Sequence, residues 1–154
     1  MLLLLCIISC TARPLPDTIE VYTPEIYSYN TVEEREFLTL LNNYRESVEA
    51  NKVVSETYLT QLSKEHCEYT VEMGEISHIG IQSRRDNVFN KGGTLYGEII
   101  GKGYSTVQTL FDAYLASELH RKVIDTKSYD HIGVTICKDE SNKIYNMTIF
   151  VEFN

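Results

Sequence analysis

The apolar residues of this 154-residue chain change their spacing at about His131. Before that point they recur every three or four residues, which is the period of a helix with one buried face. After it, residues 132–136 alternate between apolar and other types, and so do most of residues 144–153, which is the period of a strand. Residues 139–142 between them are typical of a turn, so the pattern predicts a C-terminal β-hairpin. Helices that precede such a hairpin indicate an α+β domain in which helices cover a sheet.

Capping residues and apolar spacing predict the first two helices of the domain. The first starts at a capping box in which Thr31 and Glu34 each bind the other's backbone N–H group, and it runs to about Ala50. The second starts at Ser55 as its N-cap and repeats apolar residues at three or four positions. Gly74 is suited to the end of this helix, because glycine adopts the left-handed backbone that often follows a helix.

Residues 75–104 come next, and they are predicted to be irregular. They contain six glycines and show no regular apolar spacing. A long irregular segment inside a compact domain is usually functional or mobile, and site residues are common in such segments. His78 and Glu98 both lie in it. A third helix then begins at a second capping box, formed by residues 105–108.

Composition and charge limit the classes of partner. The chain is 43% apolar and 23% charged, as an ordinary globular domain is. Its net charge is −8, whereas a nucleic-acid-binding protein needs a clustered basic face. The same negative charge argues against electrostatic docking on an anionic membrane. We therefore expect no nucleic-acid partner, and contact with a membrane only through a lipid anchor.

The N-terminal residues are predicted to be an export signal and a tether. Residues 1–10 contain an apolar run of seven, which is too short to span a bilayer but long enough for a signal peptide. Residues 7–10 resemble a bacterial lipobox, in which Cys10 would be lipidated; the alternative is a cleaved secretory signal. Residues 11–30 hold all three prolines and are expected to be a flexible tether. The folded domain then spans residues 31–154.

Cys67 and Cys137 are the cysteines that remain in the domain. Export would permit a disulfide between them. Two free buried thiols are equally compatible with the sequence, because free cysteine behaves as a small apolar residue. The sequence alone therefore leaves open whether Cys67 and Cys137 form a disulfide.

Six short motifs occur in order along residues 32–153 at spacings that resemble those of a bacterial CAP-domain protein. The motifs are Leu41-Asn42-Asn43-Tyr44-Arg45, Ser77-His78, Gly97-Glu98, Gly103-Tyr104-Ser105-Thr106, Ser117-Glu118-Leu119-His120-Arg121 and Ile132-Gly133-Val134. This superfamily includes cysteine-rich secretory proteins, antigen 5 and plant pathogenesis-related proteins. The resemblance implies a three-layer α-β-α sandwich with an antiparallel sheet.

The resemblance also implies a surface cleft lined by histidine and glutamate. Matched motif by motif, its residues are His78, Glu98 and His120, and Glu118 is close by in sequence. The chain differs from the family at Ile99, where an asparagine usually follows the glutamate.

Two imidazoles and a carboxylate can serve several chemistries. His78 and His120 would be suitable ligands for Zn²⁺, and Glu98 could orient an imidazole or a bound water. The same three residues could act as acid and base in hydrolysis. A hydrogen-bonded network that only stiffens the cleft is a further alternative. The sequence contains neither a His-Glu-x-x-His motif nor a Gly-x-Ser-x-Gly motif, so a binding role is favoured over catalysis.

The predicted function is that of an extracytoplasmic, non-enzymatic CAP domain, either secreted or anchored as a lipoprotein. Its cleft is expected to bind a divalent metal, a small or lipid-like ligand, or both. One alternative is a metal-assisted hydrolase acting on cell-envelope peptide or polysaccharide. Another is an interaction protein that meets an envelope or host protein.

Overall fold

The computed structural model describes residues 31–153. The order of elements is α1 (Val32–Ser47), β1 (Val54–Ser55), α2 (Thr57–Met73), α3 (Ile81–Phe89), β2 (Gly93–Tyr104), α4 (Val107–Ala116), α5 (Glu118–Ile124), β3 (His131–Lys138) and β4 (Ile144–Phe153). Among these described residues, none of the helices combines the length and apolar character needed to cross a membrane. The predicted signal peptide with Cys10 and the predicted tether, residues 11–30, lie outside the described range.

The strands form one sheet in the order β1-β3-β4-β2. The predicted C-terminal hairpin is confirmed, because β3 and β4 pair antiparallel with Ile132 opposite Phe150. β4 also pairs antiparallel with β2, where Glu98 lies opposite Ile149. The short strand β1 runs parallel to β3, so the sheet is mixed rather than wholly antiparallel. β2 forms one edge of the sheet.

Two apolar cores make the fold three-layered. One core contains Phe37, Leu110 and Ile99, and packs α1, α4 and α5 against the sheet. The other contains Leu59 and Ile100, and packs α2 and α3 against the sheet. Ile99 and Ile100 are consecutive in β2, and consecutive strand residues point to opposite faces. The two cores therefore lie on opposite faces, and the predicted α-β-α sandwich is confirmed.

The start of α1 is the predicted capping box. Thr31 Oγ1 accepts a hydrogen bond from Glu34 N–H at 3.2 Å, and Glu34 Oε2 accepts one from Thr31 N–H at 2.7 Å. The other oxygen of Glu34, Oε1, accepts a hydrogen bond from Ile136 N–H in β3 at 3.0 Å. One carboxylate thus caps a helix and binds a strand. α1 ends at Ser47, slightly before the predicted end near Ala50.

The other helix ends follow similar chemistry with small shifts. The C-cap of α2 is Gly74, whose φ of 68° is left-handed as predicted. The N-cap of α2 is Glu56 rather than Ser55, because Ser55 pairs with β3 as part of β1. The capping box of α4 consists of Thr106 and Thr109, one residue later than predicted.

The prediction that residues 75–104 are irregular is wrong. They contain α3 and the twelve-residue strand β2. Glycines interrupt the apolar alternation of β2, and the packing explains their presence. A Cβ atom on Gly97 would lie 2.5 Å from the Tyr129 hydroxyl, and one on Gly101 would lie 2.7 Å from the Tyr114 hydroxyl. Two tyrosine rings pack directly on the backbone of β2, which leaves no room for side chains there.

Cys67 and Cys137 form a disulfide, with their Cα atoms 6.1 Å apart. This resolves the two alternatives that the sequence left open. The bond joins α2 to β3 and therefore fixes one helical layer to the sheet.

Arg45 holds α1 against the segment that follows α5. Its guanidinium is fully buried and donates to the carbonyl oxygens of Ile124 at 2.5 Å and Tyr129 at 3.1 Å. It also donates to the carbonyl oxygen of Asn51 at 2.7 Å. These bonds fix the C-terminal end of α5, the helix that carries His120.

Candidate functional site

Glu98 lies in β2 on the face covered by α3, and its side chain is 1% exposed. Arg84 of α3 faces it. Arg84 Nη2 donates to Glu98 Oε1 at 2.8 Å, and Arg84 Nε donates to Oε2 at 3.1 Å. Two such bonds form the bidentate geometry in which a guanidinium binds a carboxylate best. This pairing compensates Glu98 for the water that it loses on burial.

Two further donors complete the hydrogen bonds of Glu98. The Tyr96 hydroxyl donates to Oε2 at 2.5 Å, and His78 Nδ1 lies 2.6 Å from Oε1. Burial opposes ionisation of Glu98, but the hydrogen bonds from its three partners outweigh burial and hold its pKa below the usual range. Glu98 is therefore a carboxylate whose oxygens are occupied by donors of this chain. We call Glu98, Arg84, Tyr96 and His78 together the Glu98 cluster.

His78 is the exposed member of the Glu98 cluster. It lies between α2 and α3, and its side chain is 53% exposed. Because the carboxylate accepts, Nδ1 carries the proton in this contact, which leaves Nε2 as the ring nitrogen outside it. Arg84 Nη1 also donates to the Ile79 carbonyl at 2.8 Å, so one guanidinium holds both Glu98 and the loop beside His78. Nε2 of His78 is thus the ring nitrogen available to a ligand.

His120 approaches the same edge of the sheet from the other helical layer. It belongs to α5, and its ring packs on Tyr114 of α4 with the ring centroids 4.8 Å apart. α5 contacts β2, the strand that carries Glu98. Burial lowers the pKa of His120, and an electrostatic interaction with His78 lowers it further. His120 is consequently a neutral imidazole at neutral pH.

Glu118 is the remaining predicted cleft residue. It is exposed in the first turn of α5. Together with Arg121 and Asp125 it lines a shallow cavity of about 360 Å³. Residues two apart on a helix point in different directions, so the side chains at positions 118 and 120 do not share a face of α5.

His66 lies behind the Glu98 cluster on the buried face of α2. Its Nε2 lies 2.7 Å from the Ser77 carbonyl oxygen, and its ring stacks on Tyr69 with the centroids 5.8 Å apart. Burial lowers the pKa of His66 more than the hydrogen bond to Ser77 raises it. His66 therefore attaches α2 to the loop that carries His78.

Sequence reasoning missed Arg84 and Tyr96, although both hold Glu98. Arg84 belongs to α3, inside the segment that was predicted to be irregular. Tyr96 lies two residues before Glu98, and residues two apart on a strand share a face, so a strand assignment would have found it. Ile99, which stands at the usual asparagine position, is fully buried in the core on the opposite face. Arg84 and Tyr96 hold Glu98 on the face of the sheet to which the Glu98 side chain points.

The donor set suits a metal only in part. In residues 31–153 no group of three or more His, Cys, Asp or Glu side chains is arranged to hold a metal ion. Glu98 has no oxygen to spare, because both oxygens are bonded within the cluster. His78 and His120 do offer imidazole nitrogens, and a carboxylate that binds the far nitrogen of an imidazole is the usual support for a histidine ligand. The described residues thus do not form a closed four-ligand site, and a metal held by the two imidazoles would need water as its remaining ligands.

Comparison with solved structures shows the same fold in proteins of distant sequence. An outer surface protein of Borrelia burgdorferi matches with a TM-score of 0.71 and 18% identity, over 79% of this chain and 93% of that one. An extracellular protein containing an SCP domain from Bacillus anthracis matches with a TM-score of 0.65 and 19% identity. That match covers 77% of this chain but only 39% of the Bacillus protein. The venom allergen-like protein 4 of Schistosoma mansoni matches with a TM-score of 0.59 and 10% identity, over 81% of this chain and 91% of that one.

Comparison of sequences gives the family directly. No curated protein sequence matches the chain significantly. Residues 38–151, well over half of the chain, match the CAP family model, described as the cysteine-rich secretory protein family. The chain therefore belongs to the CAP family, the family of cysteine-rich secretory proteins.

Proposed function

We propose that this chain is an extracytoplasmic, non-enzymatic binding domain whose ligand site is the edge formed by His78 and His120. The observation that carries the proposal is the Glu98 cluster. Arg84, Tyr96 and His78 bind the Glu98 carboxylate, so Glu98 orients the His78 ring and leaves Nε2 free.

The same geometry argues against hydrolysis. A general base needs an oxygen within reach of the proton it removes and a pKa near the working pH. Both oxygens of Glu98 are occupied, and hydrogen bonds hold its pKa below the usual range despite its burial. Glu98 thus acts as a support for His78 rather than as a base.

A divalent metal is one ligand that suits this edge. Neutral imidazole is a common ligand of Zn²⁺, and metal binding requires the deprotonated nitrogen. The lowered pKa of His120 keeps its ring neutral, and the contact with Glu98 fixes the Nδ1 tautomer of His78. His78 and His120 would hold the metal, with water completing the ligands.

Apolar side chains beside His78 support a small or lipid-like ligand. Ile76, Ile79 and Ile81 are 40%, 60% and 40% exposed, although isoleucine is among the residues most often buried. Exposed apolar side chains that cluster commonly mark a binding surface. We call Ile76, Ile79 and Ile81 the apolar ledge. A ligand with an apolar part could lie on this ledge while its polar part meets the imidazoles of His78 and His120.

The family supports the proposed location. Its description names secretory proteins, and the similar structures include one described as an outer surface protein and one described as extracellular. Lipidation at Cys10 would anchor such a domain without a spanning helix. Mass spectrometry of the mature N-terminus from a membrane fraction tests the anchor, and an unmodified residue 11 at the N-terminus would contradict it.

Metal binding is tested by titrating Zn²⁺ into the purified wild-type domain and a His78→Ala/His120→Ala variant. We expect saturable binding and a rise in Tm for the wild type, because a ligand that binds only the folded state stabilises it. The double variant should show neither effect, whereas a His131→Ala control should behave as the wild type. Equal responses of the wild type and the double variant would refute the metal site.

Ligand binding and catalysis need separate measurements. A fluorescent fatty acid should bind the wild type and a Val54→Asp control, which alters an exposed apolar residue elsewhere, more tightly than it binds an Ile79→Asp variant. Equal affinities would remove the apolar ledge from the proposal. Turnover of envelope peptide or polysaccharide that disappears in Glu98→Gln, with the fold retained, would establish the hydrolase instead.

A further inference from the structure

A cavity of the described residues lies away from the His78–His120 edge. It is an open groove of about 920 Å³ between one face of α2, the outer side of β3 and the start of α1. Thr57, Gln61, Lys64 and Glu68 form the α2 wall, at helical spacing. None of the members of the Glu98 cluster lines this groove.

The groove combines an apolar floor with a charged rim. Val71 and Ile136 contribute apolar surface, and threonine methyl groups add to it. Lys64 and Glu68 bring charges of both signs to the rim. Such a lining favours a short segment that carries large, partly apolar side chains over a strongly charged one.

The β3 side of the groove is not a free strand edge. β1 pairs with β3 only as far as Ile132 in the part of the chain that the structure describes. Farther along the edge, the Ile136 N–H group donates to Glu34 Oε1 at 3.0 Å. An added strand could not use that N–H group without displacing Glu34. An occupant of the groove must therefore pack mainly through side chains.

The position of Thr31 identifies an occupant. Thr31 is the first described residue and itself lines the groove, so the preceding segment is joined to the domain at the groove. The α2 wall from Thr57 to Glu72 spans fifteen helical steps, or roughly 22 Å. At about 3.3 Å per residue, seven extended residues cover that length.

We propose that residues 24–30 of this chain, Pro24-Glu25-Ile26-Tyr27-Ser28-Tyr29-Asn30, bind in this groove. Ile26, Tyr27 and Tyr29 are side chains of the kind that its floor accommodates, and tyrosine is enriched at such contacts because it pairs an apolar ring with a polar tip. The segment is joined to Thr31 directly, so its effective concentration at the groove is high and weak contacts suffice.

Chymotrypsin cleavage of the protein carrying residues 11–154 tests this proposal, because the enzyme cuts after tyrosine. Tyr22 lies outside the docked segment and serves as an internal reference. We expect cuts after Tyr27 and Tyr29 to be about tenfold or more slower than the cut after Tyr22, each normalised to a free peptide of residues 17–31. Equal normalised rates at the three sites would overturn the proposal.

Two substitutions separate the segment from other occupants. Ile26→Asp, which lies outside the folded core, should raise the normalised rates at Tyr27 and Tyr29 to that at Tyr22, whereas Ile19→Asp should leave them slow. Val71→Asp in the groove should act like Ile26→Asp while the unfolding transition shows that the domain is folded. Protection that increases with protein concentration would assign the groove to a second copy, and protection that survives Ile26→Asp would exclude this segment; either result overturns the proposal.

Discussion

Arg84 binds the Glu98 carboxylate through two parallel hydrogen bonds of 2.8 and 3.1 Å across the boundary between α3 and β2. Glu98 is nearly inaccessible to water, and the Arg84 side chain is 11% exposed. An isolated charge in such a place would be strongly unfavourable, so each residue depends on the other. The ion pair fixes α3 on the edge strand and orients His78 at the surface.

Removing Arg84 should destabilise the protein. We expect Arg84→Met to lower the free energy of unfolding by about 3–5 kcal/mol, because it leaves a buried carboxylate without its main partner. Urea denaturation measures the change. Arg85→Met is the matched control: its side chain is exposed, and a change within about 0.5 kcal/mol is expected. Equal effects of the two substitutions would show that the Arg84–Glu98 pair does not stabilise the fold.

Stability should fall at two stages as the pH is lowered. The pKa values of His66 and His120 are lowered in the folded state, so the unfolded chain binds more protons once the pH falls below about 6.5, the ordinary histidine value. The pKa of Glu98 is also lowered, so its contribution is complete above about 4.3 and is lost as the pH falls through the folded pKa. Denaturation midpoints from pH 8 to pH 3 would report both stages.

The histidine stage can be separated from the glutamate stage. His120→Gln should reduce the loss near pH 6 and leave the loss below pH 4 in place. An unchanged loss near pH 6 in both His120→Gln and His66→Gln would mean that these histidines do not contribute to it.

Adding a methyl group to β2 should be costly where a tyrosine packs on its backbone. A Cβ atom at position 97 would lie 2.5 Å from the Tyr129 hydroxyl, so Gly97→Ala is expected to cost about 1–3 kcal/mol in the free energy of unfolding. Tyr129→Phe removes the nearest atom. In a double-mutant cycle, the pair should cost less than the sum of the single changes. Additive costs would indicate that the backbone shifts to accept the methyl group.

Breaking the disulfide should loosen the attachment of α2. Cys67 and Cys137 are 70 positions apart, and cross-links that close long loops typically stabilise by about 2–4 kcal/mol. Cys67→Ala/Cys137→Ala is expected to lose about that amount in urea denaturation. A reductant should lower the stability of the wild type but have no further effect on the double variant. A wild type that is insensitive to reductant would contradict a stabilising disulfide.

The success of sequence reasoning followed the kind of physical signal that each residue provides. The Thr31–Glu34 capping box, Gly74 and the terminal hairpin depend on short-range chemistry, so their residues show it directly. β2 was missed because its glycines are needed to make room for Tyr114 and Tyr129, which are distant in sequence. Losing β2 also hid Tyr96, whose relation to Glu98 depends on strand alternation.

For the candidate site too, residues with a short-range signal were predicted, and residues that depend on packing between distant segments were not. The resemblance in short motifs identified His78 and Glu98, which the structure places in hydrogen-bond contact. Arg84 could not be found from motifs, because only the packing of α3 on β2 makes it a partner. Glu118 was included because of its closeness in sequence to His120, and its place in the site stays a prediction.

The bare backbone of β2 at Gly97 and Gly101 bears on how this domain can change. Glu98 points to one helical layer, while its glycine neighbours admit tyrosine rings from the other side of the sheet. Substitutions in α4 or around Tyr129 can thus push the strand from behind and tilt Glu98, and with it His78, without touching either residue. If His78 and His120 bind a ligand as proposed, such distant variation would change the affinity for that ligand while the histidines stay the same.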